Sequence, residues 1–144
     1  MKNTRTLRKA FTLIELLIVI TILGLLVAMV TPSLMDTADQ QKRKTVCIQM
    51  AEIKKALEMF KIDNGMFPET EEGLQALLAN PDEDKYPGYA VKPYMQRLPK
   101  DAWQKPFIYI NNGDSIELIS YGTDRKEGGE EFAKDIFFTK ECLK

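Results

Sequence analysis

The sequence predicts an α+β protein in which a long N-terminal helix, with a membrane-spanning first half, packs on a small C-terminal antiparallel sheet. Three observations predict this class. An apolar run begins at Phe11, an amphipathic helical pattern follows over residues 36–61, and short strand patterns separated by turn residues occupy the last third of the chain. At 144 residues, the chain has room for one modest domain beyond the first helix.

The apolar run FTLIELLIVITILGLLVAMV, residues 11–30, contains one ionisable residue, Glu15. Twenty helical residues cover roughly 30 Å, the thickness of a bilayer hydrocarbon core. We therefore predict a membrane-spanning helix over residues 11–31. A carboxylate inside such a span costs a few kcal/mol, which favours a functional role with a partner. The alternative is a Glu that stays near the headgroups and favours the helix N-terminus through the helix dipole.

The ten residues before this run, MKNTRTLRKA, carry four basic and no acidic side chains. The positive-inside rule predicts that this leader, residues 1–10, stays cytoplasmic. An ordinary secretory signal has a shorter apolar core, followed by a cleavage site with small residues. We therefore expect the apolar helix to be retained and residues 32–144 to form the exported domain.

The helix is predicted to continue to about residue 63, where Asn64 and Gly65 favour a helix end. Its second half carries apolar residues at spacings of four and three: Val46, Met50, Ile53, Leu57 and Phe60. This stripe is the predicted docking face for the globular domain, and a partner-binding groove is the alternative. Within the first half, Gly24 and Pro32 are weak points, and Pro32 predicts a kink or break.

Beyond the long helix, the sequence predicts short elements. Thr70 is the predicted N-cap of a surface helix that ends at Asn80, and a loop rich in Pro follows over residues 81–97. Trp103 is predicted to anchor the core. Strands are predicted over residues 107–110, 115–121 and 136–139, with the hairpin signal Asn111-Asn112-Gly113-Asp114 between the first two.

Composition excludes several function classes. Without the four basic residues of the leader, 16 of the 20 Lys and Arg remain against 21 Asp and Glu, a net side-chain charge of about −5. This acidic balance argues against nucleic-acid binding. The absence of His weakens an enzymatic interpretation. A membrane-anchored enzyme that uses an acid pair such as Glu71 and Glu72 remains only a minor alternative.

The basic leader followed by Phe11, Thr12, Leu13, Ile14 and Glu15 resembles the class III signal of type IV pilins and of the pseudopilins of type II secretion. The resemblance implies that a prepilin peptidase cuts between Ala10 and Phe11 and methylates the new amine. Ala10 stands where the family usually has Gly. The resemblance also implies that Glu15 pairs with the Phe11 amine of a neighbouring subunit, and that the segment from Gly24 to Pro32 unwinds on assembly.

Two further stretches resemble the major pseudopilins of type II secretion: DNGMFPETEEGLQAL at residues 63–77 and LPKDAWQKPF at residues 98–107. In the second, Ala102 replaces a usual Pro and Gln104-Lys105 replace a pair containing Gly, which implies a less constrained turn. The implied fold is type IV pilin-like. The implied function is that of a structural subunit, polymerising through its N-terminal helix into a periplasmic filament that drives protein export across the outer membrane.

The same resemblance implies partners and a location. The partners are further copies of the chain, minor pseudopilins, an inner-membrane assembly platform and the prepilin peptidase. Before assembly, the subunit would cross the inner membrane once, with its C-terminal domain in the periplasm. A type IV pilin serving adhesion, motility or DNA uptake is the alternative.

The acidic stretch YGTDRKEGGEEFAKDI, residues 121–136, is the candidate metal site. Composition alone favours a solvated acidic loop, and the spacing of an EF-hand is absent. The resemblance, in contrast, implies a calcium site whose ligands include Asp124, Asp135 and the backbone carbonyl of Tyr121.

Cys47 and Cys142 are the two cysteines of the chain. An exported domain permits a disulfide that would tie the C-terminal tail to the long helix. Two free thiols are an equal alternative, because sequence does not establish that the two Cα atoms approach within reach.

Overall fold

The computed structural model describes residues 11–130 and 133–143, with side chains described for residues 11–29, 37–130 and 133–143. The predicted leader with Ala10 and the side chain of Pro32 lie outside these ranges. The chain divides into two compact units, with the boundary between Ala38 and Asp39.

One helix, α1, runs from Leu13 to Asn64 over 52 residues. It is not interrupted at Pro32, so the helix does not break there in the single chain, and the kink at Pro32 stays a prediction. The helix ends one residue beyond the predicted position. There the Asn64 side-chain amide donates to the Phe60 carbonyl at 2.9 Å, and the Gly65 N–H donates to the Lys61 carbonyl at 2.7 Å.

The apolar stripe on the second half of α1 forms the centre of the core. Its five residues, Val46, Met50, Ile53, Leu57 and Phe60, are fully buried. Tyr86 from the Pro-rich loop, Trp103 and the sheet residues Tyr109 and Leu118 belong to the same cluster. The stripe is therefore the docking face that the periodicity predicts, and Trp103 is a core residue as predicted.

Three antiparallel strands form a sheet in the order β1-β2-β3: β1 Ile108–Asn111, β2 Ile116–Ser120 and β3 Ile136–Phe137. In the predicted hairpin, Asn111 pairs with Ile116. The third strand is two residues long instead of the predicted four, because the chain leaves the sheet at Phe138 and forms a π-helical turn, Phe138–Cys142. That turn carries Cys142 back to α1.

The predicted surface helix capped by Thr70 is wrong. The structure has a five-residue 3₁₀ helix, Gly73–Leu77, without a side-chain cap. The Thr70 hydroxyl instead accepts a hydrogen bond from the Asn111 N–H at 3.0 Å, and therefore ties this segment to the end of β1. The Thr70 hydroxyl therefore bonds to a distant strand residue and does not cap the helix.

Candidate assembly and calcium sites

Glu15 lies in the first turn of α1 and is bonded to Thr12. The Thr12 N–H and hydroxyl each donate to Glu15 Oε2 at 2.9 Å, and the Glu15 N–H donates to the Thr12 hydroxyl at 3.3 Å. This reciprocal arrangement is a capping box, which satisfies N–H groups that the first helical turn leaves unpaired. The Thr-x-x-Glu spacing is the sequence signal of this box, although the role of Thr12 was not predicted from it.

Apolar side chains cover the first turns of α1 on every side. The large apolar residues from Phe11 to Met29 are between 45% and 83% exposed, and Glu15 is the one ionisable residue among them. A continuous exposed apolar surface of this kind marks a contact with a membrane or a partner. Beyond the neighbouring backbone of the helix, a Cβ atom at Gly24 would meet no atom within 4 Å, so no packing contact in the single chain requires a glycine there.

The sequence predicts a membrane span over residues 11–31. Among the residues that the structure describes, no helix is long and apolar enough to cross a membrane.

The acidic loop begins after β2 and ends at β3, and Asp135 lies at its C-terminal end. The Asp135 carboxylate is buried, with a residue exposure of 5%, and its Oδ2 accepts a hydrogen bond from the Gly128 N–H at 2.9 Å. Its Oδ1 is buried without a hydrogen-bond partner in the described structure. An unpaired buried carboxylate oxygen is costly, and an unseen ion or water is one of the explanations for it.

Asp124 lies across the same loop. Its Oδ1 accepts a hydrogen bond from the Lys126 N–H at 3.1 Å, and its Oδ2 would lie 3.1 Å from a Cβ atom at Gly129. Gly129 has φ +96°, and a Cβ there would also collide with the Ala133 carbonyl. At Gly122, where φ is +64°, a Cβ would lie 3.2 Å from the Lys134 carbonyl. The close approach at Gly122 therefore joins the two ends of the loop, and the one at Gly129 brings the middle of the loop against Ala133.

The donor set fits a hard cation only with help from the backbone. Among the described residues, no group of three or more His, Cys, Asp or Glu is arranged to hold a metal ion. Calcium takes six to eight oxygens and accepts backbone carbonyls and water beside carboxylates. Asp124, the unpaired Oδ1 of Asp135 and a carbonyl from Tyr121, which directly follows β2, supply donors of the correct chemistry.

The structure joins Cys47 of α1 to Cys142 in a disulfide, with Cα atoms 5.2 Å apart. The bridge spans 95 residues of sequence, so it closes almost the whole globular unit. The tail is thereby fixed to the helix seven residues after Asp135.

Asp101 is a buried carboxylate whose role was not predicted from the sequence. Its Oδ1 accepts hydrogen bonds from the N–H groups of Trp103 at 2.9 Å and Lys105 at 2.8 Å, and its Oδ2 accepts one from the Ser120 hydroxyl at 2.7 Å. The same hydroxyl accepts the Gly122 N–H at 3.3 Å. Asp101 therefore holds the 98–107 turn and the start of the acidic loop together. Its position within an Asp-x-Trp turn is the local signal that could have identified it.

Because of these bonds, the turn at residues 101–105 is more constrained than the substitutions in its motif imply. Gln104 occupies the position of the usual Gly and has φ +65°, in the left-handed region. Its N–H donates to the Asp101 carbonyl at 3.0 Å.

The acid pair of the enzyme alternative does not converge on a site. Glu71 is exposed, whereas Glu72 binds Lys85 Nζ at 2.8 Å and accepts the Tyr86 hydroxyl. Burial raises the pKa of the Glu72 carboxyl, but hydrogen bonds from Lys85, Tyr86 and the Glu69 N–H outweigh burial and leave the pKa below its ordinary value of 4.5. Glu72 is thus a charged structural group that connects the 3₁₀ helix to the Pro-rich loop.

Comparison with known proteins identifies the family. The family model "Type II secretion system (T2SS), protein G" matches residues 33–139, and the model "Prokaryotic N-terminal methylation motif" matches residues 5–31. The type II secretion system core protein G of Vibrio cholerae is 38% identical over 141 residues and covers 94% of each chain. That of Pseudomonas aeruginosa is 38% identical over 135 residues, covering 92% of this chain and 95% of the relative.

A solved structure agrees. The crystal structure of the major pseudopilin from the type 2 secretion system of enterohaemorrhagic Escherichia coli superposes with a TM-score of 0.65 at 30% identity, covering 74% of this chain and 93% of that chain. The predicted pilin-like α+β fold is confirmed, and the adhesive or motility pilin is excluded as the alternative. The chain belongs to the protein G family, the structural and non-enzymatic major pseudopilins of type II secretion systems.

Proposed function

We propose that this pseudopilin is cut between Ala10 and Phe11, methylated at the new amine, and assembled through its N-terminal helix into a periplasmic filament that drives protein export. Before assembly, residues 11–31 hold the subunit in the inner membrane, with residues 32–144 in the periplasm. Its partners are further copies of the chain, the prepilin peptidase, minor pseudopilins and the inner-membrane assembly platform.

One observation carries the assembly proposal: the exposed apolar surface from Phe11 to Met29 contains a single carboxylate, at Glu15. In a filament, neighbouring helices cover this surface. The cation on a processed Phe11 amine then lies in a low-dielectric environment, where attraction to a carboxylate is much stronger than in water. Glu15 has a second role in the single chain, where it completes the capping box with Thr12.

Two variants separate these roles. Glu15→Gln removes the charge but retains a side chain that also serves in capping boxes. Thr12→Ala removes the cap and keeps the charge. In cells that lack their own protein G, we expect Glu15→Gln to abolish filament formation and export, and Thr12→Ala to retain both. Normal assembly of Glu15→Gln would overturn the charge-pairing proposal.

Processing is tested on the membrane-extracted protein by intact mass spectrometry. We expect a chain that begins at Phe11 and carries one additional methyl group. A protein in assembled filaments that still contains Met1 would contradict the proposed cleavage after Ala10.

We also propose that the acidic loop binds calcium through Asp124, Asp135 and the Tyr121 carbonyl. The support is the buried Asp135 Oδ1 without a partner in the described structure, and the close approaches at Gly122 and Gly129 that fold the loop back on itself. When bound, calcium would neutralise the carboxylates and hold the loop closed. A ligand that binds only the folded state stabilises it by about 2.7 kcal/mol at a hundred times its dissociation constant.

The calcium proposal is tested by thermal unfolding of the detergent-solubilised chain in calcium and in chelator. We expect calcium to raise the melting temperature of the wild type, and to have little effect on Asp124→Asn or Asp135→Asn. Asp114→Asn, an exposed hairpin carboxylate, is the matched control and should respond like the wild type. Equal melting temperatures of the wild type in calcium and chelator would contradict the site.

A further inference from the structure

Two residues of α1, Arg43 and Cys47, fasten the end of the acidic loop and the tail that follows it. From α1, the Arg43 guanidinium donates through Nη1 to the Lys134 carbonyl at 3.0 Å and through Nη2 to Glu141 Oε2 at 2.6 Å. Cys47, four residues along the same helix, is bonded to Cys142. Residues four apart lie on one face of a helix. One face of α1 therefore holds both ends of the segment 134–142.

The first of these contacts acts on the backbone of Asp135. Lys134 and Asp135 share a peptide group, and the carbonyl of that group receives the Arg43 hydrogen bond. The same carbonyl lies against Gly122 at the other end of the acidic loop. Fixing a planar peptide group limits the directions in which the next side chain can point. Arg43 thus restricts the position of the Asp135 carboxylate without contacting it.

The positive charge of Arg43 is neutralised by the adjacent Glu141 carboxylate. A free cation next to the acidic loop would repel calcium, but Glu141 Oε2 lies 2.6 Å from the guanidinium, and both side chains are about three-quarters buried, with exposures of 22% and 25%. A planar guanidinium that donates to two acceptors at once, here the Lys134 carbonyl and Glu141, fixes geometry more firmly than a Lys ammonium can. The pair therefore positions the loop at little electrostatic cost to calcium.

We infer that Arg43, together with the Cys47–Cys142 disulfide, positions Asp135 and so increases the calcium affinity of the acidic loop. The inference depends on the calcium site of the proposed function. Arg43 and the disulfide are positioning groups, because neither contacts the ion. Groups that orient a metal ligand typically change metal affinity by 10–100-fold when they are removed.

The first test is calcium titration of the detergent-solubilised chain by calorimetry. We expect Arg43→Met, which keeps the aliphatic stem, to weaken calcium binding about tenfold, and the double variant Cys47→Ser/Cys142→Ser to weaken it by a similar factor. Arg43→Lys should lie between Arg43→Met and the wild type, because Lys keeps the charge without the fork. Lys42→Met is the matched control: Lys42 pairs only weakly with Asp39, at 4.0 Å, and its loss should change affinity by less than about twofold.

The second test needs no calcium. In chelator, hydrogen exchange of the backbone amides over residues 133–139 should be faster in Arg43→Met than in Lys42→Met, while exchange of β1 amides stays unchanged. This readout separates the two proposals. A wild type that does not bind calcium overturns the calcium site. A wild type that binds, with unchanged affinity in Arg43→Met and the double variant, or unchanged exchange over residues 133–139 in Arg43→Met, overturns the positioning role.

Discussion

At the scale of single residues, Asp101 shows how one buried carboxylate organises two distant segments. It satisfies two backbone N–H groups in its own turn and the Ser120 hydroxyl at the end of β2. The two bonds within the turn could have been predicted from the turn motif, but the bond to Ser120 could not, since nothing local indicates that Ser120 lies beside Asp101. The partner is known only once the sheet is formed.

We expect Asp101→Ala to lower the free energy of unfolding by about 3 kcal/mol, because it leaves buried donors without an acceptor. Asp101→Asn should cost less, since its amide oxygen can still accept the two N–H groups. Urea unfolding followed by the fluorescence of Trp103, the one tryptophan, measures both. Asp114→Ala on the exposed hairpin loop is the control, and an equal loss in that variant would contradict the role of Asp101.

Gln104 carries local strain that its neighbours impose. Left-handed backbone costs a side chain with a Cβ about 1–2 kcal/mol, whereas glycine adopts it freely. Gln104→Gly should therefore raise the stability by about 0.5–1 kcal/mol, after the extra freedom of glycine in the unfolded chain is subtracted. Urea unfolding measures the change, and a destabilised variant would show that the Gln104 side chain contributes more than its backbone costs.

Gly129 illustrates a steric requirement inside the acidic loop. An Ala Cβ there would collide with the Ala133 carbonyl and crowd Asp124, whereas Gly128, with nearly the same φ of +97°, has open space around it. We expect Gly129→Ala to lose most of the stabilisation by calcium and Gly128→Ala to retain it. Thermal unfolding with and without calcium measures the difference. An equal response in the two variants would contradict a loop that is closed at Gly129.

At the scale of elements, predictions that rest on neighbouring residues were correct, whereas features that depend on contacts between distant residues were not predicted. The 3-4 spacing of the core stripe and the Asn-Asn-Gly-Asp signal depend only on neighbouring residues, and both predicted the structure. The length of the third strand and the Thr70 cap were predicted wrongly, because contacts with distant residues decide them. The tail that leaves the sheet is bonded to α1 through Cys47, and the Asn111 N–H donates to the Thr70 hydroxyl. In the proposed calcium site, the position of Asp135 depends in the same way on contacts from α1.

The ion pair between Glu72, at the start of the 3₁₀ helix, and Lys85 of the Pro-rich loop makes the stability of the protein depend on pH. The pKa of the Glu72 carboxyl is lowered in the folded state, so its contribution to stability is present above 4.5, its ordinary value, and is lost as the pH falls through the lowered value. Glu72→Gln should therefore destabilise the protein at pH 7 and lose less stability on acidification than the wild type.

Urea unfolding at pH 7 and at about pH 3.5 measures this dependence. The control is Glu71→Gln, an exposed neighbour with the same change of charge. If the two variants share one pH profile, the Glu72 contacts with Lys85 and Tyr86 do not carry the dependence.

At the scale of the whole molecule, the family and fold could be predicted from sequence because their signals are contiguous motifs. The leader, the apolar run and the two stretches at residues 63–77 and 98–107 are each read along the chain. Assembly is different, since it concerns surfaces that meet only between copies. In the single chain α1 continues through Gly24 and Pro32, and Glu15 pairs with Thr12. We propose that assembly unwinds the 24–32 segment. We also propose that it places the Phe11 amine of a neighbouring subunit beside Glu15.

A cryo-EM map of the assembled filament tests the central claim most directly. The distance to measure joins the Glu15 carboxylate to the Phe11 amine of the neighbouring subunit. We predict a separation within about 4 Å, the range of a salt bridge, with helical density interrupted between Gly24 and Pro32. A filament in which Glu15 still bonds only to Thr12 of its own chain, and in which the Phe11 amines lie elsewhere, would contradict assembly by charge pairing.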